Sequence, residues 1–243
     1  MVDFMYTSGY ETIKMTFKER NATIVLADKK TRTTKWALKT EYFTAFPGVQ
    51  DKLLEHGINL VFIENETRWC KDADIEIKGD FVSYLHTEFG FDLRCIIIGM
   101  SAGGLIGIKF AAKYPECVSV LYLDAPVLNL LSCPLSLGCA QKNDGMIAEF
   151  CSAMNTNASK LLCYREHPID VMHKLLENKL PVVLVCGLAD KVVPYCENGR
   201  LLYDYYKANG GEIKQILKEN CGHHPHGLDD PSEIVDFILK YAY

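Results

Sequence analysis

Cys95-Ile-Ile-Ile-Gly-Met-Ser101-Ala-Gly-Gly-Leu-Ile-Gly-Ile108 is the stretch that decides the architecture. Its first six residues are apolar on both faces of an extended chain, which suits a strand buried in the middle of a sheet. Residues 102–114 are apolar nearly all round at helical spacing, which predicts a buried helix. Between them, Gly99-Met-Ser101-Ala-Gly103 puts a serine on a turn so tight that side chains two residues either way would collide. The hydroxyl of Ser101 is thereby exposed. The first N–H groups of the helix, that of Ala102 included, point to where an oxyanion would form. Such a motif arises by chance in roughly one in ten chains of this length. A strand that runs into it without a gap, and a helix that opens from it, remove most of that coincidence.

Working outward, two early strands are expected at 11–18 and 22–27, joined through Glu19-Arg20-Asn21, and a third at 35–40, with short antiparallel connections. From there strands and helices alternate, the mark of a parallel sheet covered on both faces. A helix opens at Phe46-Pro47, a strand follows at 59–64, and Ile77, Phe81 and Leu85 repeat at helical spacing. After the Ser101 unit comes a strand at 118–124. Residues 126–180 break the rhythm and predict a small cap-like insertion with helical pieces at 146–154 and 169–177. Regularity returns with a strand at 181–187, a helix ending at Gly210-Gly211, a strand at 212–218 and a last helix capped by Asp230 and Glu233. The sum is an α/β chain with an eight-stranded, mostly parallel sheet, helices on both faces and an insertion after the sixth strand. Its 243 residues require no more than one domain.

The serine needs a base, and the base needs a carboxylate to hold it. Asp190 follows the strand at 181–187 directly and so lies at the same sheet edge as Ser101. Cys221-Gly-His223-His224-Pro-His226 lies in the loop after the last strand, where the base is expected. His223 is the first choice, since it follows the strand and a permissive glycine at once; His224 is the alternative, and the extra histidines line the pocket. A zinc site is the rival explanation of the cluster, but adjacent side chains should diverge and no Cys or Asp has ligand spacing nearby, so no metal and no cofactor is expected. His56 and His86 read as structural, and His167 and His173 as capping or exposed residues of the insertion.

A net charge of −5 leaves no basic footprint for nucleic acid. The most apolar run, residues 95–108, is too short for a membrane span and is broken by Ser101, Gly103 and Gly104. The start, Met1-Val-Asp-Phe-Met-Tyr-Thr-Ser-Gly-Tyr10, lacks the basic and apolar regions of an export signal. Ten scattered cysteines with no Cys-x-x-Cys pair predict reduced thiols, and with them a cytoplasmic protein.

The order Ser101, Asp190, His223 resembles the α/β-hydrolase superfamily over nearly the whole chain. Gly-Met-Ser-Ala-Gly-Gly-Leu, Leu-Asp-Ala-Pro-Val, Gly-Leu-Ala-Asp-Lys-Val-Val-Pro and Gly-His-His-Pro-His-Gly-Leu-Asp-Asp-Pro resemble small single-domain serine esterases related to the prolyl oligopeptidase family. The resemblance implies Ser101 as nucleophile, His223 as base and Asp190 as acid. It also implies that the loop after the third strand supplies a second oxyanion donor. That loop usually carries His-Gly but here reads Leu38-Lys-Thr-Glu-Tyr42, so the donor falls to the backbone N–H of Thr40 or Glu41, beside that of Ala102. Lys39 and Glu41 place charge near the catalytic edge, which suits a polar substrate such as a sugar ester. Trp69, Glu41, His224 and the 126–180 segment are the expected substrate walls.

The mechanism expected is two-step acyl transfer. His223 takes the Ser101 proton during attack on an ester carbonyl, an acyl-enzyme forms, and His223 then activates water. An acyltransferase, a thioesterase or a peptidase would use the same residues. A binding protein that kept the fold and lost turnover is the alternative of another class.

Overall fold

Strand pairing is set by where polar turns and crossover helices fall, and the computed structural model, which describes residues 9–242, joins eight strands in one sheet. Residues 1–8, on which the expectation of no export signal rests, and the terminal Tyr243 lie outside the described residues. β1 (Glu11–Phe17) and β2 (Arg20–Leu26) form an antiparallel hairpin whose two loop residues, Lys18 and Glu19, have φ of 45° and 66°. Two positive φ values in a two-residue loop match the right-handed twist of the strands. The turn therefore comes earlier than the expected Glu19-Arg20-Asn21.

β3 (Trp36–Lys39) departs from the expected antiparallel connection. The chain leaves it through α1 (Gly48–Glu55) and returns as β4 (Asn59–Ile63), which pairs antiparallel with β2 and parallel with β3. β4 thus separates β2 from β3, because a helical crossover makes parallel neighbours where a short turn makes antiparallel ones. α2 (Asp72–Phe89), β5 (Cys95–Met100), α3 (Ala102–Lys113) and β6 (Val118–Asp124) follow. α4 (Asp144–Ala153), α5 (Ala158–Cys163) and α6 (Pro168–Glu177) lead to β7 (Val182–Gly187), and α7 (Gly199–Ala208), β8 (Ile213–Lys218) and α8 (Ser232–Ala242) complete the order. Across the sheet the strands run β1-β2-β4-β3-β5-β6-β7-β8.

β5, β6 and β7 are buried along their whole length, as apolar runs without alternation should be. Ile96, Ile98 and Met100 face the layer of α1 and α8, and Cys95 and Ile97 face that of α2, α3, α6 and α7. α6 corrects the extent of the insertion: it packs between α3 and α7 and carries the crossover from β6 to β7. Only the part of residues 126–180 before α6, which carries α4 and α5, stands outside the alternation of strand and crossover helix. α5 is a helix with no sequence expectation behind it, too short to display a periodic stripe. At α8, Asp230 Oδ1 accepts the Ser232 N–H at 3.0 Å, whereas Glu233 pairs with Lys214 instead of closing a capping box. All ten cysteines are free thiols, and among the described residues no helix is long and apolar enough to cross a membrane.

Candidate active site

Ser101 stands between β5 and α3 with φ 52° and ψ −120°, outside the regions an L-residue prefers. Such backbone costs of order 1–3 kcal/mol and persists only where neighbours over-determine it. Here its N–H donates to the Asp124 carbonyl at 2.9 Å, and its carbonyl accepts from Val127 N–H at 3.0 Å and Gly104 N–H at 2.9 Å. A side chain at Gly99 would put its Cβ 2.9 Å from both the Gly103 oxygen and the Gly104 Cα, so the turn closes only with glycine there.

The turn after β7 brings Asp190 to the same edge. Its Oδ1 accepts the N–H groups of Val192 and Val193 at 2.8 and 2.9 Å, which leaves Oδ2 for His223 Nδ1 at 2.8 Å. The Ala189 N–H donates to the Cys221 carbonyl at 2.9 Å and ties the two loops together. His223 Nε2 lies 3.0 Å from Ser101 Oγ. An ionised carboxylate only accepts, so the Nδ1 of a neutral His223 carries the proton and Nε2 faces the serine with its lone pair. His224 does not take this place: its ring stacks on Phe46 at 5.5 Å.

The loop after β3 divides the two expected oxyanion donors. The Thr40 N–H is already spent on the Ile98 carbonyl at 3.1 Å, continuing the β3–β5 ladder, so Thr40 cannot supply it. Its hydroxyl instead donates to the Gly103 carbonyl at 2.6 Å. The Glu41 nitrogen lies beside the elbow, 3.4 Å from where a Cβ on Gly103 would stand, and among the described residues its N–H has no partner. The Glu41 carboxylate is taken by Asn65 Nδ2 at 2.6 Å and does not line the cavity, which corrects its expected substrate contact. Lys39 is also turned away. Buried to 1% exposure, its ammonium donates to the Ala45 carbonyl at 2.7 Å and Gln50 Oε1 at 2.6 Å. Burial pulls it down to about 7, against the attraction of Asp124.

Beside Ser101 is a cavity of about 320 Å³. Trp69, Phe46, Met100, Val127, Cys133, Met146 and Val192 give it apolar walls, with Tyr42, Arg68 and the histidines as its polar groups. Arg68 is held by Glu149 and covers the Trp69 ring at 4.9 Å, and the Trp69 indole donates to Glu149 at 3.0 Å. Trp69 and His224, expected as substrate walls, both line this cavity. His167 caps the Leu130 N–H at 3.2 Å and His86 Nδ1 lies 2.7 Å from the Phe91 carbonyl, both structural uses.

Sequence reasoning missed a second carboxylate–imidazole pair. His226 Nδ1 lies 2.7 Å from Asp124 Oδ1, and Asp124 Oδ2 accepts the Tyr122 hydroxyl at 2.9 Å and the Gly227 N–H at 2.7 Å. Asp124 ends β6 at the sheet edge, the same signal that singled out Asp190. The expected divergence of the histidine side chains is corrected as well: the rings of His223, His224 and His226 meet edge to face, with centroids 4.8–5.0 Å apart. Separate carboxylates turn His223 and His226 toward one another. His224 is held below the usual imidazole value by burial and by its two neighbours.

No family model matches the chain, and no curated protein matches it by sequence. Solved structures do. An esterase from Pyrococcus furiosus superposes with a TM-score of 0.65 at 14% identity over 96% of this chain and 93% of its own. A puromycin-hydrolysing peptidase from Mycobacterium tuberculosis gives 0.70 at 14% identity over 96% of this chain, and an acylaminoacyl peptidase from Pyrococcus horikoshii 0.66 at 16% over 88%. The chain has the α/β-hydrolase fold. It spans 39% and 37% of the two peptidases' own lengths, so the shared part is the hydrolase fold and not those whole proteins. Within this fold Ser101, Asp190 and His223 sit at the carboxyl ends of strands or in the loops after them, the edge where open α/β sheets bind ligands.

Proposed function

We propose that this chain is a single-domain serine hydrolase that cleaves a carboxylic ester with a short, apolar acyl group. The observation that carries the reading is the unbroken series from Asp190 Oδ2 to His223 (2.8 Å) and from His223 Nε2 to Ser101 Oγ (3.0 Å). Ser101 attacks the ester carbonyl as its proton passes to His223 Nε2, and the N–H groups of Ala102 and Glu41 receive the oxyanion. His223 gives the proton to the departing alcohol, leaving an acyl-enzyme; it then draws a proton from water, which attacks the acyl carbon, and returns that proton to Ser101 Oγ as the acid leaves. Asp190 holds the ring and balances its transient charge. The apolar cavity walls favour an acyl chain there, and with Lys39 buried and Glu41 paired to Asn65 the charges that suited a polar substrate such as a sugar ester no longer support it. An alcohol of any polarity can leave from the open side.

The test compares p-nitrophenyl acetate, butyrate and octanoate, acetylated sugars and a p-nitroanilide, using wild type and Ser101→Ala. Turnover of the short esters that Ser101→Ala abolishes, with labelling of Ser101 by a fluorophosphonate, supports the proposal. Absence of both turnover and labelling overturns it, and a preference for the anilide makes the chain a peptidase.

A further inference from the structure

One ring nitrogen from each of His223, His224 and His226 can be chosen so that the three lie within 4.8 Å of one another, and all three residues line the cavity. Two of the three rings are fixed in the manner of metal ligands. His223 Nδ1 faces Asp190 at 2.8 Å and His226 Nδ1 faces Asp124 at 2.7 Å, and a carboxylate on one ring nitrogen orients the other, unprotonated, toward an ion. For His223 the serine reaction accounts for this arrangement. For His226 it does not: its side chain is 3% exposed, its Nε2 has no partner among the described residues, and neither ring nitrogen of His224 has one.

We propose that His223, His224 and His226 form a binding site for a zinc ion that silences the serine chemistry. Three neutral imidazoles suit a borderline divalent cation, and a fourth position remains open to the cavity. Zinc–nitrogen bonds of ~2.0–2.1 Å put tetrahedral ligands about 3.3 Å apart. The three rings must draw together to reach that spacing, and His224, the exposed member, is free to swing off Phe46 toward the other two. The ion takes the Nε2 lone pair of His223, so Ser101 loses its base while Asp190 and Asp124 stay in place behind the two buried rings. The silencing rests on the proposed serine mechanism; the site itself does not.

Binding is therefore measured apart from activity. The full chain is titrated with zinc in a calorimeter and with Co²⁺ in a spectrophotometer, as wild type, Ser101→Ala, His224→Gln and His226→Gln. One ion per chain is expected, with visible cobalt bands of a nitrogen-ligated site. Affinity should survive Ser101→Ala and fall at least tenfold in each histidine variant, checked by circular dichroism for folding. A sulfur-to-cobalt band in the near ultraviolet together with unchanged affinity in His224→Gln would move the ion to exposed thiols such as Cys139 and Cys196 and overturn the site. Ester turnover is followed in parallel: zinc should lower it at least tenfold and EDTA restore it. Zinc bound at the histidines without any ester turnover leaves the site standing and removes the proposed function. Turnover untouched by saturating zinc refutes the silencing.

Discussion

The Thr40 hydroxyl donates to the Gly103 carbonyl across 2.6 Å, joining the loop after β3 to the first turn of α3. Both ends are fully buried, so the bond fixes the Glu41 N–H relative to Ser101. Thr40→Val leaves the carbonyl without this donor, and a loss of about 1–3 kcal/mol in urea unfolding is expected. Thr40→Ser keeps the hydroxyl and should recover most of it.

Glu41 tests the oxyanion site. Glu41→Ala retains the backbone N–H and should leave kcat on p-nitrophenyl butyrate within a few-fold of wild type. Glu41→Pro deletes the donor, and a drop in kcat of about 10²–10³ is expected, the usual effect of losing one such donor. Equal kcat for the two variants would assign the second donor elsewhere.

Asp190→Asn keeps an oxygen for the N–H groups of Val192 and Val193 but no longer accepts from His223 Nδ1 in the required tautomer. The expected result is a fall in kcat of roughly 10⁴-fold with the unfolding midpoint little changed.

Gly104 sits where α3 crosses the segment after β6. A Cβ there would lie 2.3 Å from Pro126 Cβ and 2.8 Å from its Cα, a clash with backbone rather than with a movable tip. Gly104→Ala should cost about 1–3 kcal/mol or more. At Gly48, where the nearest atom is 4.0 Å away, alanine should be tolerated. Thermal unfolding of both variants makes the comparison.

Lys39 gives a pH dependence with a definite sign. Its folded value of about 7 lies below the unfolded 10.5, so between those values the unfolded chain binds the extra proton. The cost of the buried ammonium is present in full below pH 7 and is relieved as pH rises toward 10.5. Relative to Lys39→Met, the wild type should therefore gain about 2 kcal/mol of unfolding free energy between pH 7 and pH 9. A constant difference across that range would mean that Lys39 stays charged in the fold.

Continuous apolar runs made the central strands legible, because a strand covered by helices on both faces cannot alternate. β5 and β6 have the expected bounds, and the elbow follows from Gly99, Ser101 and Gly103 without reference to any distant residue. The strand order around β3 was not legible, since local pattern marks a strand without saying which neighbour a crossover will insert beside it. α5 was too short for periodicity, and α6 was absorbed into the insertion because its role depends on contact with α3 and α7.

By itself the sequence determined the kind of sheet, the place of Ser101 on its turn, and the sheet edge to which Asp190 and the histidine loop must come. Those features depend on periodicity and on residues next to one another. Only the tertiary structure decided that His223, and not His224, stands between Asp190 and Ser101, and that Asp124 holds His226 across 102 positions of chain. It also decided that the Thr40 N–H is spent in the sheet while that of Glu41 has no partner among the described residues. The direction of a ring or an N–H follows from partners far along the chain, and these become neighbours only once the strands have paired.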